Sequence, residues 1–149
     1  MILNFKIIHF FIPFIAIFYT YTLADEDENP GLIVSKAYAN KPLTGSKNTA
    51  GFMTLTNLTE EILSINKISC LDSVTALFHK TSVNNNSGII SMDEINRLVI
   101  KPKTTVNFKP GGKHVMLMGI GSEIKNNNRI ICYLSDNKKK QYQIVFKFQ

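Results

Sequence analysis

The sequence predicts an all-β protein, a single domain built as a two-sheet sandwich or small barrel. Short apolar runs recur along the chain, turn-forming compositions separate them, and no segment keeps a helical period for three turns.

The runs follow in order. Leu32 to Ala39 is the first expected strand, and Lys41-Pro42-Leu43-Thr44-Gly45-Ser46 ends it with turn residues. Gly51 to Asn57 contains the alternating Phe52-Met53-Thr54-Leu55, which suits a strand with one buried face and assigns Met53 to packing. Ile62 to Ser69 and Val74 to Lys80 follow, and Asn84-Asn85-Asn86-Ser87-Gly88 reverses the chain into Ile89 to Met92. Leu98 to Ile100 and Thr104 to Phe108 lead to the turn Lys109-Pro110-Gly111-Gly112, which opens onto His114 to Met118. Asn126-Asn127-Asn128 precedes Arg129 to Leu134, and Asp136-Asn137-Lys138 separates that run from Gln141 to Phe148. Asn57-Leu58-Thr59 and Asn85-Asn86-Ser87 match the glycosylation sequon, a short motif that carries no weight without a eukaryotic context.

Residues 1–24 read as an export signal: Lys6, an apolar run from Ile7 to Phe18, then Thr22-Leu23-Ala24 as a small-residue cleavage site. Retention of this segment as a membrane anchor is the alternative, and either outcome puts residues 25–149 outside the cytoplasm, in the periplasm. That remainder is enough chain for one core and not for two. After the acidic Asp25-Glu26-Asp27-Glu28, lysines dominate, and the formal net charge is +6 at pH 7. The lysines are scattered, Trp is absent and no aromatic-basic motif is present, which argues against nucleic acid as a partner. Cys70 and Cys132 carry no metal-binding spacing, so they are either two buried small residues or one long-range disulfide.

The candidate chemistry starts at His114-Val115-Met116-Leu117-Met118, where an imidazole and two thioethers share one face of an extended strand. Beyond the leader, which takes His9 with it, the histidines are His79 and His114. Phe78-His79-Lys80 ends one strand and Met92 lies on the strand returning from the Asn-rich turn, so a hairpin brings His79 near Met92. Two nitrogen and two thioether donors favour Cu(I), whereas zinc, magnesium and calcium call for thiolate or oxygen ligands. In an oxidising compartment thioethers cannot cross-link as thiolates do. Met118, deeper along the strand, is assigned to packing or support rather than ligation.

The segment from Phe108 to Gly119 resembles the most recognisable stretch of the periplasmic copper chaperones of the PCu(A)C type. Their signature is a histidine, a methionine about a dozen residues on, then twenty-one residues and His-x-Met, and Met92 to His114 encloses that interval. Weaker similarity runs through Ala50 to Asn57 and Val74 to His79. The resemblance implies a cupredoxin-like Greek-key β-sandwich that binds one Cu(I) per chain through His79, Met92, His114 and Met116. It also implies delivery to the copper centre of cytochrome c oxidase subunit II, alone or with thioredoxin-like Sco proteins, by a monomer without a small-molecule substrate. Two departures stand out: Lys80 and Thr81 follow His79 where the family often has a methionine, and the Asn run stretches the interval from His79 to Met92.

Other readings are a blue-copper electron carrier, which needs a cysteine thiolate beside two histidines and a methionine, and a binding or adhesion module in which the His/Met cluster is incidental. Hydrolytic chemistry has no visible nucleophile motif, and no carboxylate is grouped with either histidine in sequence.

Overall fold

The structure, a computed structural model, describes residues 29–71, 74–83, 88–121 and 127–149. The expected leader, the acidic run after it and the second sequon lie outside the described residues. Ten strands form: β1 (Leu32–Ala39), β2 (Asn48–Asn57), β3 (Leu63–Cys70), β4 (Thr75–Val83), β5 (Ile90–Glu94), β6 (Leu98–Ile100), β7 (Thr105–Phe108), β8 (Lys113–Met118), β9 (Arg129–Asp136) and β10 (Gln141–Phe148). Every expected strand is present. Several run further than their apolar residues, because a ladder pairs backbone groups and tolerates polar side chains: β4 continues through Thr81 and Ser82 to pair Val83 with Ile90.

The strands make one curled sheet in the order β5-β4-β8-β2-β1-β10-β9-β3-β6, with β7 pairing β2. The two layers of the expected sandwich are thus joined at β1, which pairs antiparallel with β2 and parallel with β10. A bulge makes this possible. Between Ser35 and Tyr38 the β1–β2 register shifts, and Lys36 there adopts φ 52°. The extra residue rephases β1, so that Ala37 and Ala39 turn to the core and Tyr38 turns out to meet Phe52, ring centroids 5.2 Å apart.

Alternation builds the core. Val115 and Leu117 of β8, Phe78 of β4, Met53 and Leu55 of β2, and Leu134, Ile144 and Phe146 of β9 and β10 are all buried. Gly51 lets the layers approach: a Cβ there would stand 3.1 Å from Phe146 Cε1 and 3.2 Å from Leu117 Cδ1. Asn57, also fully buried, donates from Nδ2 to the carbonyls of Glu61 (2.8 Å) and Ile100 (3.1 Å) and accepts from Thr59 N–H (2.9 Å), tying the end of β2 to β6. Its amide is committed to these bonds, so the first sequon is no acceptor for glycan.

Cys70 and Cys132 face each other across β3 and β9 and are joined as a disulfide, which settles the two readings left open by the sequence. At the β9–β10 turn the buried Asp136 carboxylate accepts from the N–H groups of Lys138 (2.9 Å) and Lys140 (2.8 Å) and from Tyr142 Oη–H (3.2 Å). Burial first, then the Asp136 charge, push the Tyr142 phenol up to about 12.

Two outcomes are expected. The disulfide closes a separation of 62 residues, and replacing both cysteines by alanine should lower the unfolding free energy by about 4 kcal/mol, read from urea midpoints. Because the folded state holds Tyr142 protonated, its contribution is intact below the ordinary phenol value of about 10 and is lost as pH rises from there toward about 12. Alkaline titration of tyrosinate absorbance should show a late component that Tyr142→Phe removes.

Candidate metal centre

The turn Lys109-Pro110-Gly111-Gly112 sets the site. Pro at the second position, Gly111 at φ 72° in the third, and Gly112 N–H donating to Lys109 C=O at 3.0 Å make a type II turn. It launches β8 so that Val115 and Leu117 point into the core, which sends His114 and Met116 to the outer face. β4 pairs with β8 by the same logic: Phe78 opposes Val115 inside, and His79 opposes His114 outside.

His79 is the centre of the arrangement. Its strand neighbours on the same face, Leu77 and Thr81, oppose Met116 and Met92 respectively. Both thioethers are therefore diagonal neighbours of His79, about 7–8 Å away at the backbone and within reach of a long side chain. All four expected donors share one face of three adjacent strands. Met118 shares that face but pairs with Thr75 and Asn48, two residues further from the imidazoles.

The two rings stand edge to face, 5.7 Å between centroids and 76° between planes. Two imidazoles sharing one metal at about 2 Å per nitrogen have ring centres roughly 5 to 6 Å apart, so the arrangement fits a common ion. His114 Nδ1 lies 3.3 Å from Gly112 C=O, a carbonyl that also accepts Thr81 N–H at 3.0 Å. A carbonyl only accepts, so the ring carries its proton on Nδ1 and keeps the Nε2 lone pair for a ligand. His79 Nδ1 is buried and has no hydrogen-bond partner. An orphaned buried nitrogen costs about 1–3 kcal/mol, and a bound metal is one way to satisfy it.

Burial grades across the site. His114 is 7% exposed although it faces outward. Met116 is half-buried, and Met92 is 62% exposed on the edge strand β5, with Ile90 and Val83 exposed beside it. Among the described residues no group of three or more His, Cys, Asp or Glu is placed to hold a metal, so the thioethers are essential to the donor set. Neither cysteine is free, which removes the thiolate a blue-copper centre requires. The cleft lined by Thr59, Glu61, Asp136, Lys138, Lys140 and Tyr142, about 420 Å³, contains none of the donors.

Sequence reasoning missed two residues. The Gly112 carbonyl is chemically silent in a sequence. Glu94 opposes His79 across β4 and β5, a register that the composition of the turn does not give.

The family model described as "Putative lipoprotein LpqE-like" matches residues 32–147, which spans β1 to β10 and every donor above. The chain belongs to the LpqE-like family. No curated protein sequence shows significant similarity to this LpqE-like chain. Among solved structures, it is similar to the copper-bound PCuAC domain from PmoF2, at 17% identity over 80% of this chain and 92% of that one, with a TM-score of 0.62. The solution structures of DR1885 from Deinococcus radiodurans are also similar. The apo form has 18% identity over 99% and 96% of the two chains, and the Cu(I) form 20% over 85% and 83%, each at a TM-score of 0.60. At these identities the likeness establishes the fold: the LpqE-like chain has the cupredoxin-like architecture of PCuAC domains, as expected.

The tautomer is open to direct measurement. Long-range ¹⁵N–¹H spectra of the metal-free protein should show the neutral form of the His114 ring as the Nδ1–H tautomer; the Nε2–H pattern would remove the lone pair assigned to the metal.

Proposed function

We propose that this protein is a non-enzymatic Cu(I) carrier of the periplasmic space. It binds one ion through His79, His114, Met116 and Met92 and passes it to the copper centre of cytochrome c oxidase subunit II, alone or alongside Sco-type proteins. The observation that carries the reading is the unpartnered, buried His79 Nδ1 beside the His114 ring, with two thioethers on the same face. The copper-bound PmoF2 domain and Cu(I)-DR1885 lend it support through a common fold. The resemblance of Phe108 to Gly119 to the chaperone signature supports the acceptor.

The donor set matches the task. Thioethers and neutral imidazoles bring no negative charge, so they suit a soft monovalent ion and hold it without proton loss from sulfur. A carrier must also give its cargo away. Met92, exposed on an edge strand, is the ligand an incoming acceptor reaches first, while the buried His114 holds the ion until exchange. Imidazoles ligate only when neutral, so affinity should fall in acid.

Cu(I) competition titration against a chelator of known affinity tests the site. His114→Ala and Met116→Ala should each weaken binding by at least about tenfold, and Met92→Ala should speed release to an acceptor. Unchanged affinity in both of the first two variants would sink the assignment. Mixing the Cu(I)-loaded protein with the apo copper domain of subunit II and measuring copper in the separated proteins tests the acceptor.

A further inference from the structure

We propose that a copper partner docks on the open edge of β5, adding an extended segment to the sheet as a further strand and setting a methionine of its own beside Met92. This rests on the reading that Met92 ligates Cu(I).

The ladder shows which backbone groups are open. β5 ends the sheet order, and among the described strands only β4 pairs with it. Ile95 N–H donates to Phe78 C=O at 2.8 Å, which makes His79–Glu94 a pair without direct hydrogen bonds; at every second position Thr81–Met92 and Val83–Ile90 are likewise. The N–H and C=O groups of Ile90, Met92 and Glu94 therefore point away from β4, while those of Ser91 and Asp93 bond to Ser82 and Lys80. All five residues of β5 are exposed, and no described residue is hydrogen-bonded to the outward groups. Met92 thus offers an unpaired backbone and a copper donor at one position.

The side chains on the outer face define the occupant. Val83, Ile90 and Met92 are 56%, 65% and 62% exposed, with Val83 opposite Ile90 and Met92 one pair along on the same face. Glu94 is the next residue on that face, and it joins no ion pair among the described residues. An antiparallel segment that presents a cation, a methionine and an aliphatic residue at alternate positions meets Glu94, Met92 and Ile90 in turn. Backbone bonds then supply affinity and the three side chains supply specificity. The segment residue bonded to Met92 lies about 5.5 Å away at Cα with its side chain on the same face, beside the ion. The Cu–S bond to Met92 breaks as one to the partner's thioether forms; copper stays Cu(I), and neither sulfur gains or loses a proton. A second copy of the chain fits less well, since self-pairing over the whole of β5 centres on Met92 and sets Glu94 of each copy against Ile90 of the other.

The test adds a capped synthetic peptide of sequence lysine-threonine-methionine-threonine-valine to the Cu(I)-loaded protein and follows backbone amides by NMR. Amide exchange should slow at Ile90, Met92 and Glu94 and stay unchanged at Ser91 and Asp93, which already bond to β4. Ile90 is the first residue of β5, where proline removes an outward N–H and leaves the pairing with β4 whole. Ile90→Pro should weaken peptide binding by at least about fivefold and change Cu(I) affinity less than about twofold. N-methylation of the peptide's methionine should have the same effect without altering the protein. With normal Cu(I) loading, protection absent from β5, unchanged peptide affinity in both of these arms, or a dimer of the protein in place of the peptide complex overturns this inference alone. A wild-type protein that takes up no Cu(I) removes the carrier reading and this inference with it.

Discussion

The pairing of β4 with β8 is the constraint on which the metal centre depends. Side chains alternate with a period of two, so a slip of one residue would turn His114 toward the core and Val115 to the outer face. What prevents the slip is apolar: Phe78 against Val115, and Ala76 against Leu117, all buried within the curled sheet. Burying Phe78, Val115 and Leu117 is worth about 1.5–3 kcal/mol each, and a slip would forfeit it. The donors on the outer face are thus positioned by side chains on the inner one. The type II turn at Pro110 and Gly111 adds to this by starting β8 in a single phase.

Rigidity and accessibility divide along the same sheet. β4 and β8 lie inside the sheet, and His114 is held by Gly112 C=O. β5 is an edge strand with all five residues exposed. A ligand set drawn from both regions couples a fixed part to a loose part, since edge elements with little buried contact open at lower free energy than central strands. For a protein that acquires and surrenders an ion this is a functional gradient.

The features that hold the fold together are of a different kind from those at the site. The Cys70–Cys132 bridge, the hydrogen-bonded Asn57 and the Asp136–Tyr142 pair are satisfied polar or covalent links among strands other than β4, β5 and β8. His79 Nδ1 is the buried side-chain nitrogen without a partner among the described residues. The other buried side-chain nitrogen and oxygen atoms of the described residues are matched, so the unmatched one lies among the donors. The same accounting explains why Asn57 of the first sequon and the pair of cysteines are structural.

Much of the architecture was legible in the chain because alternation and turn composition are local. Phe52-Met53-Thr54-Leu55 announces a half-buried strand, and His114-Val115-Met116 places two donors on one face whatever the tertiary fold. These patterns needed only the geometry of an extended backbone. Partnership was not legible. That Cys70 meets Cys132, that Asn57 is buried at 0% exposure, that a bulge at Lys36 joins two layers into one sheet, and that Glu94 stands opposite His79 are statements about register between distant segments. Sequence by itself determined which residues can share a face; the tertiary structure decided which of them share a place, because register is set by the burial of the opposite face and by turns whose reach no local pattern encodes.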